Sequence, residues 1–310
     1  MDFHAGFEDY FAAKAKLFTP AYSGVGVVNV ADRYGRRLVA QATIPITTFC
    51  ADTDSGAYAN ADWRAANVRC GADGSTFRVI GPGGVEADAS VTIPGPFNIT
   101  NALGAIVALV ETGVRLEDAV AGVSSCTGVP GRLERVTTAD ARGDDTFDTP
   151  GNAGVADAFV DYAHKPGAVE AVLGALRPVT QGELIAVLGC GGDRDRGKRP
   201  LMGAAAARLA DVAILTSDNP RSEDPLAILS EMLQGVLEVP QGQRARVIIE
   251  PDRAAAIGLA ASLAGKGDVV LVAGKGHETG QYVGGAILPF DDREVTAAAL
   301  RHAGWRGDMS

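Results

Sequence analysis

The sequence predicts an α/β protein: a partial N-terminal half, then a complete, doubly wound and mostly parallel sheet. Three observations support this. From residue 155 onward, short apolar runs alternate with helical patterns in an unbroken strand–helix series, the signature of βαβ units. Before that point the chain opens on a helix with no preceding strand and offers too few parallel strands to close a sheet. With 310 residues, 46% hydrophobic and 21% charged, the chain has an ordinary globular composition and enough length for two cores.

Residues 7–18 have helical spacing, with Phe7, Tyr10, Phe11, Leu17 and Phe18 on one face. Lys14 falls in the same seam. A lysine there either snorkels to water or serves a purpose that needs partial burial. Residues 25–30 and 47–50 read as buried strands. Residues 63–93 read as a β-meander, with turn signals at Gly71-Ala72-Asp73-Gly74 and Gly81-Pro82-Gly83-Gly84. Helices are expected at 98–112 and 116–126. The Asp-, Gly- and Thr-rich stretch 137–154 reads as a linker, which divides the chain into domains 1–136 and 137–310. In the second domain strands are expected at 156–161, 184–189, 211–216, 245–249 and 268–273, with an edge strand near 282–288. Helices are expected at 166–176, 198–209, 224–236, 252–264 and 292–302, giving a Rossmann-like domain.

The formal charge of −10 argues against a nucleic-acid partner, because phosphate binding needs a basic face. No apolar stretch is long enough to cross a bilayer. The four cysteines (Cys50, Cys70, Cys126, Cys190) form no Cys-x-x-Cys pair and no signal peptide precedes them, so a reducing, cytoplasmic setting is expected. No two of the four histidines sit at metal-ligand spacing. Gly192 to Lys198 fits the spacing of a phosphate loop, but Arg199 stands where Mg²⁺ coordination requires Ser or Thr. The residues between are bulky and charged where a cradle needs close backbone approach, so this is not a nucleotide loop. No Gly-x-Ser-x-Gly elbow or dinucleotide fingerprint occurs.

Four polar loops end strands of the second domain. They are Asp161-Tyr162-Ala163-His164-Lys165-Pro166, residues 189–199, Asp218-Asn219-Pro220-Arg221, and Ala273-Gly274-Lys275-Gly276-His277-Glu278. Ligands in open α/β sheets bind at the carboxyl ends of the strands. Asp161 could accept hydrogen bonds from ribose hydroxyls, and Pro166 suits a first helical position. The Asp218–Arg221 loop places a carboxylate, an amide and a guanidinium together, stiffened by Pro220, and suits a small zwitterionic ligand. The same tetrapeptide also suits an Asx-turn and helix cap ahead of Pro225.

Taken in order, these pieces resemble the Mur ligases, most closely their diaminopimelate-adding type. The resemblance runs nearly end to end. It includes Asp2-Phe3-His4 with Tyr10-Phe11-Ala12-Ala13-Lys14, Gly95-Pro96-Phe97-Asn98-Ile99-Thr100-Asn101-Ala102-Leu103, Gly128-Val129-Pro130-Gly131-Arg132-Leu133-Glu134 and Val160-Asp161-Tyr162-Ala163-His164-Lys165-Pro166, completed by the three later loops. The resemblance implies that Lys14 is a carbamylated lysine near the metal. It implies that Asn101, Arg132, Asp161 and His164 contact ATP, with Asp161 on the ribose. It implies that Arg194, Asp218, Asn219, Pro220, Arg221, Gly274 and Glu278 hold meso-diaminopimelate. Arg221 with Arg194 suits the distal carboxylate and Glu278 an ammonium; a lysine substrate would leave Arg221 without its partner. The implied reaction uses ATP and Mg²⁺ to activate the carboxylate of a UDP-muramoyl dipeptide as an acyl phosphate, which the diaminopimelate amine attacks to form an amide.

The family's uridine-nucleotide domain, its Gly-Lys-Thr loop and its metal-binding Glu and His have no counterpart here, so no metal ligand is expected in this chain. Met1 is expected to be an internal methionine, the 310 residues inactive alone, and the first half prone to exposed sheet edges and poor solubility. The alternatives are a non-catalytic module that holds an amino acid or ATP, and a related ligase using another amino acid.

Overall fold

The computed structural model describes residues 6–71, 73–137 and 156–307. Asp2-Phe3-His4 and all of the expected linker except Thr137 lie outside them. The chain forms two compact units, Met1–Gly128 and Val129–Ser310.

The first unit starts with helix α1 (Phe7–Ala15), followed by a 3₁₀ turn over Lys16–Phe18. Only Phe11 of α1 is buried; Phe7, Tyr10, Leu17 and Lys14 are exposed. The seam read from the sequence is therefore not a core face in these residues. Lys14 lies with its Nζ 5.6 Å from the Tyr10 ring centroid, not in an apolar pocket.

Strands β1 (Gly26–Asn29) and β2 (Ile46–Cys50) pair in parallel, β2 pairs in parallel with β3 (Trp63–Gly71), and β4 (Gly74–Ile80) and β5 (Glu86–Val91) continue antiparallel as the expected meander. Helix α2 (Arg33–Gln41) was not expected from the sequence. The Asp32 carboxylate caps it, accepting from the Tyr34 and Gly35 amides at 2.7 and 2.8 Å. Gly35 interrupts the helical pattern because a Cβ there would run into the Asn29 carbonyl. Helices α3 (Pro96–Glu111) and α4 (Leu116–Ser124) cover the sheet, burying Ile99, Leu103, Ile106 and Val107 against Phe49, Trp63, Phe77 and Val79.

The second unit is a six-stranded sheet. Its strands are β6 (Glu134–Val136), β7 (Asp157–Asp161), β8 (Leu184–Cys190), β9 (Val212–Ser217), β10 (Arg246–Ile249) and β11 (Val269–Ala273), in the order β10-β9-β8-β11-β7-β6. All pair in parallel except β6, which is antiparallel to β7. This short strand lies in the stretch that the sequence reading grouped with the first domain. The central strands are buried along their whole length, which is why they read as continuous apolar runs.

Helices α5 (Pro166–Leu176), α6 (Lys198–Leu209), α7 (Pro225–Glu238), α8 (Arg253–Leu263) and α9 (Asp292–Gly307) match their expected positions closely. Helices α8 and α9 bury Ile257, Ala260 and Leu300 on the sheet face that carries Val160, Ile185, Val187, Ile214 and Val272. The expected edge strand is instead a separate two-stranded hairpin, β12 (Gly280–Val283) and β13 (Ala286–Pro289), tied to the loop after β9 by a bridge between Val283 and Arg221. Gly284 and Gly285, with φ of 56° and 83°, permit the two-residue turn that folds it back before it can extend the sheet. Among the described residues no helix is long and apolar enough to cross a membrane.

Candidate functional site

The strand order places the ends of β9, β8, β11 and β7 side by side, so the four polar loops share one rim of the second unit. The Asp218–Arg221 loop is the most tightly specified. Asn219 is buried; its Nδ2 donates to Glu278 Oε2 at 2.7 Å, and its Oδ1 accepts from the Tyr282 amide at 3.0 Å. Gln281 Nε2 donates to the Asp218 carbonyl at 2.8 Å. Arg221 sits at φ 54°, a left-handed conformation that non-glycine residues adopt at a cost of order 1 kcal/mol. Hydrogen bonds on both sides hold it there: its amide donates to the Tyr282 carbonyl and its carbonyl accepts from the Gly284 amide, each at 2.8 Å. Its Nη1 donates to the Gly192 carbonyl at 2.7 Å, and its guanidinium lies 6.0 Å from the Tyr282 ring centroid.

The helix-cap alternative falls to a neighbouring residue. Asp224, not Asp218, caps α7, accepting from the Leu226 amide at 3.0 Å. Asp218 is buried, and burial pushes its carboxyl above the usual carboxylate range while Arg253 and Lys275 pull it down. Gly274, at φ 121°, passes so close that any Cβ would strike the Asp218 carboxylate. Arg194 is exposed; its side chain and Arg221 flank Gly191.

A second cluster centres on Tyr162. The Arg132 guanidinium is 4.9 Å from its ring centroid, the His164 ring 4.6 Å edge-on and the His277 ring 5.3 Å. Burial, then the charges of Glu278 and Asp218, raise the Tyr162 phenol above its ordinary range, so the two clusters are electrostatically connected. Asp161, expected on the ribose, already has amide partners in the chain. It is 8% exposed, and its carboxylate accepts from the Leu133 amide at 2.7 Å and from the Ala163 amide. It clamps the turn that presents Arg132, which Glu134 also braces by accepting from the Gly131 amide at 2.6 Å. Gly131 is required there because a Cβ would collide with the Gly276–His277 backbone. Asn101 and Lys14, by contrast, belong to the first unit, both exposed.

Three braces escaped the sequence reading. Arg199, which ruled out the phosphate loop, is buried. Its Nη1 donates to Glu223 and Glu231 at 2.9 Å, and its Nη2 to Glu223 at 2.8 Å. The Gly192 amide donates to the Asn219 carbonyl, so it is turned to a neighbouring loop and not to an anion. Arg253 and Asp292 form a buried ion pair, and Lys275 is buried between Asn219 and Glu278. Each has a partner between 24 and 56 residues distant, which no local spacing reports.

Glu223 is a test of the first brace. Its hydrogen bonds to Arg199, then the Asp193 amide at 2.6 Å, hold its carboxyl down at about 2 against an ordinary 4.5. A carboxyl depressed in the folded state stabilises fully above its unfolded value and loses that contribution as pH falls from 4.5 through about 2. Glu223→Gln is therefore expected to flatten the loss of urea midpoint over that window. An acid limb identical to the parent's would remove Glu223 from the brace.

Residues 1–109 match the family model described as the Mur ligase middle domain, and residues 148–276 match that described as the Mur ligase, glutamate ligase domain. The chain belongs to the Mur ligase family. It is 55% identical over 301 residues to the UDP-N-acetylmuramoyl-L-alanyl-D-glutamate--2,6-diaminopimelate ligase of Streptomyces coelicolor, covering 97% of this chain and 56% of that relative. The ligase of the same description from Streptomyces avermitilis is 54% identical with the same coverage. A solved structure of such a ligase is 34% identical with a TM-score of 0.60, covering 97% of this chain and 58% of that one. The chain thus spans about half the length of the curated relatives it matches.

Proposed function

We propose that this chain carries the amino-acid-receiving part of an ADP-forming ligase that joins meso-diaminopimelate to UDP-N-acetylmuramoyl-L-alanyl-D-glutamate in peptidoglycan synthesis, in the cytoplasm. The observation that carries the proposal is the rim in which Arg221, Asn219 and Glu278 are locked together by hydrogen bonds from three loops. A guanidinium suits the distal carboxylate of the ligand, and the Glu278 carboxylate an ammonium. The names of the relatives support the same assignment.

Asn101, Arg132 and His164 are the proposed ATP contacts. An exposed guanidinium held over an aromatic ring fits a nucleotide phosphate or base, and Asp161 serves by fixing that guanidinium's turn. Bound ATP would supply the phosphoryl group that activates the acceptor carboxylate as an acyl phosphate. The residues of the rim hold the incoming diamine so that its free amine approaches this carbon in a defined orientation. Among the described residues no three His, Cys, Asp or Glu side chains are grouped to hold a metal, so Mg²⁺ is assigned no ligand here. Exposed Lys14 remains the proposed carbamylated lysine on the metal side.

Calorimetric titration of the 310-residue chain tests the reading. Meso-diaminopimelate is expected to bind at least about tenfold more tightly than L-lysine, which lacks the distal carboxylate. Equal affinity for the two would point to a ligase of another amino acid. Absence of binding to either would sink the assignment.

A further inference from the structure

Lys275, at the turn after β11, is 0% exposed. An ammonium is costly to bury unless each donor is met. Here all three are used: Nζ donates to Asn219 Oδ1 at 3.1 Å, to Glu278 Oε2 at 3.2 Å and to the Gly280 carbonyl at 2.5 Å. Asn219 Oδ1 thus accepts from both Lys275 and the Tyr282 amide, which fixes the orientation of the amide and commits Nδ2 to Glu278. A flipped amide would set its NH₂ against two donors. Both bonds to Glu278 fall on Oε2. Among the described residues Oε1 accepts none, and the side chain remains 29% exposed.

Resting on the reading that this rim receives a diamino diacid, we propose that Lys275 is a positioning residue for ligand recognition. It locks the Asn219 amide and anchors Glu278 through one oxygen, leaving the other for an ammonium of the ligand. The tie to Gly280 joins this lock to the hairpin strand whose Tyr282 holds Arg221. One buried cation therefore sets both ends of the site. Its positive charge also offsets the Glu278 carboxylate, 3.2 Å away.

The test is a double-mutant cycle in binding. The parent chain, Lys275→Met, Glu278→Gln and the double variant are titrated with meso-diaminopimelate by calorimetry, and Tm is measured for each. Each single variant is expected to weaken binding about tenfold to hundredfold. The double variant is expected to bind about as well as the weaker single, because the contribution of Glu278 depends on Lys275 to place its carboxylate. A lysine that only fills space would instead give losses that multiply. Multiplying losses, or a Lys275→Met chain that binds like the parent, would overturn the proposal. Should Lys275→Met fail to fold, Lys275→Gln, which keeps a donor for one acceptor, runs the same cycle with the same outcomes. A parent chain that binds no diaminopimelate overturns the ligand reading and this role with it. Binding by the parent with multiplying losses overturns the role alone.

Discussion

Arg253→Met is expected to lower the unfolding free energy by about 3–5 kcal/mol, the range for removing one partner of a buried ion pair. Arg253 and Asp292 side chains are both 0% exposed and meet in a bidentate pair, Nε to Oδ1 and Nη2 to Oδ2, each at 2.7 Å. Removing the guanidinium strands the Asp292 charge in the interior. It also removes the donors that reach the Ser217 and Ala273 carbonyls at 3.1 Å, the last residues of β9 and β11. Those strands lead directly into Asp218 and Gly274, so the variant should lose ligand affinity together with stability. Asp292→Leu added to Arg253→Met should recover part of the loss, since a matched apolar pair carries no stranded charge. The remainder reflects the two unmet carbonyls. Urea unfolding with a change below about 1 kcal/mol would show that water reaches the pair and that it carries no structural weight.

Arg221→Gly is expected to separate recognition from stability. Loss of the guanidinium should weaken diaminopimelate binding by about tenfold to hundredfold, the usual range for a hydrogen bond to a charged group. Stability should hold within about 1 kcal/mol. Glycine relieves the cost of φ 54°, and this offsets both the lost bond to the Gly192 carbonyl and the greater freedom of the unfolded chain. Arg221→Ala keeps the strained backbone, so it should lose the same affinity and more Tm. Unchanged affinity in the glycine variant would take Arg221 out of the site. A matched fall in Tm and affinity would make it a structural residue instead.

The two variants probe different depths of the same rim, and sequence reading reached them unequally. Asp218-Asn219-Pro220-Arg221 stood out because its chemistry is contiguous and follows an apolar run, so neighbouring residues sufficed to suggest a ligand loop. Glu278, Arg194 and Gly274 were found through family resemblance. The bracing roles of Arg253, Arg199 and Lys275 are not legible in the sequence, because a basic residue in a helix or loop carries no local sign of burial. Asp161 was legible as a polar residue at a strand end, but its commitment to the Leu133 amide depends on a turn 28 residues earlier. The seam around Lys14 shows the opposite failure. Helical periodicity was present, yet apolar spacing alone does not specify what covers a face, and Phe7 and Tyr10 remain exposed.

What the sequence determined alone was the alternating architecture of the second unit, because parallel strands buried on both faces leave continuous apolar runs between amphipathic helices. It also marked the strand-end loops as the place for chemistry. Tertiary structure decided which polar groups in those loops are left for a ligand and which hold the loops in place. Hydrogen bonds and ion pairs across tens of residues form only once the strand order brings the loops together, and spacing along the chain does not encode that order.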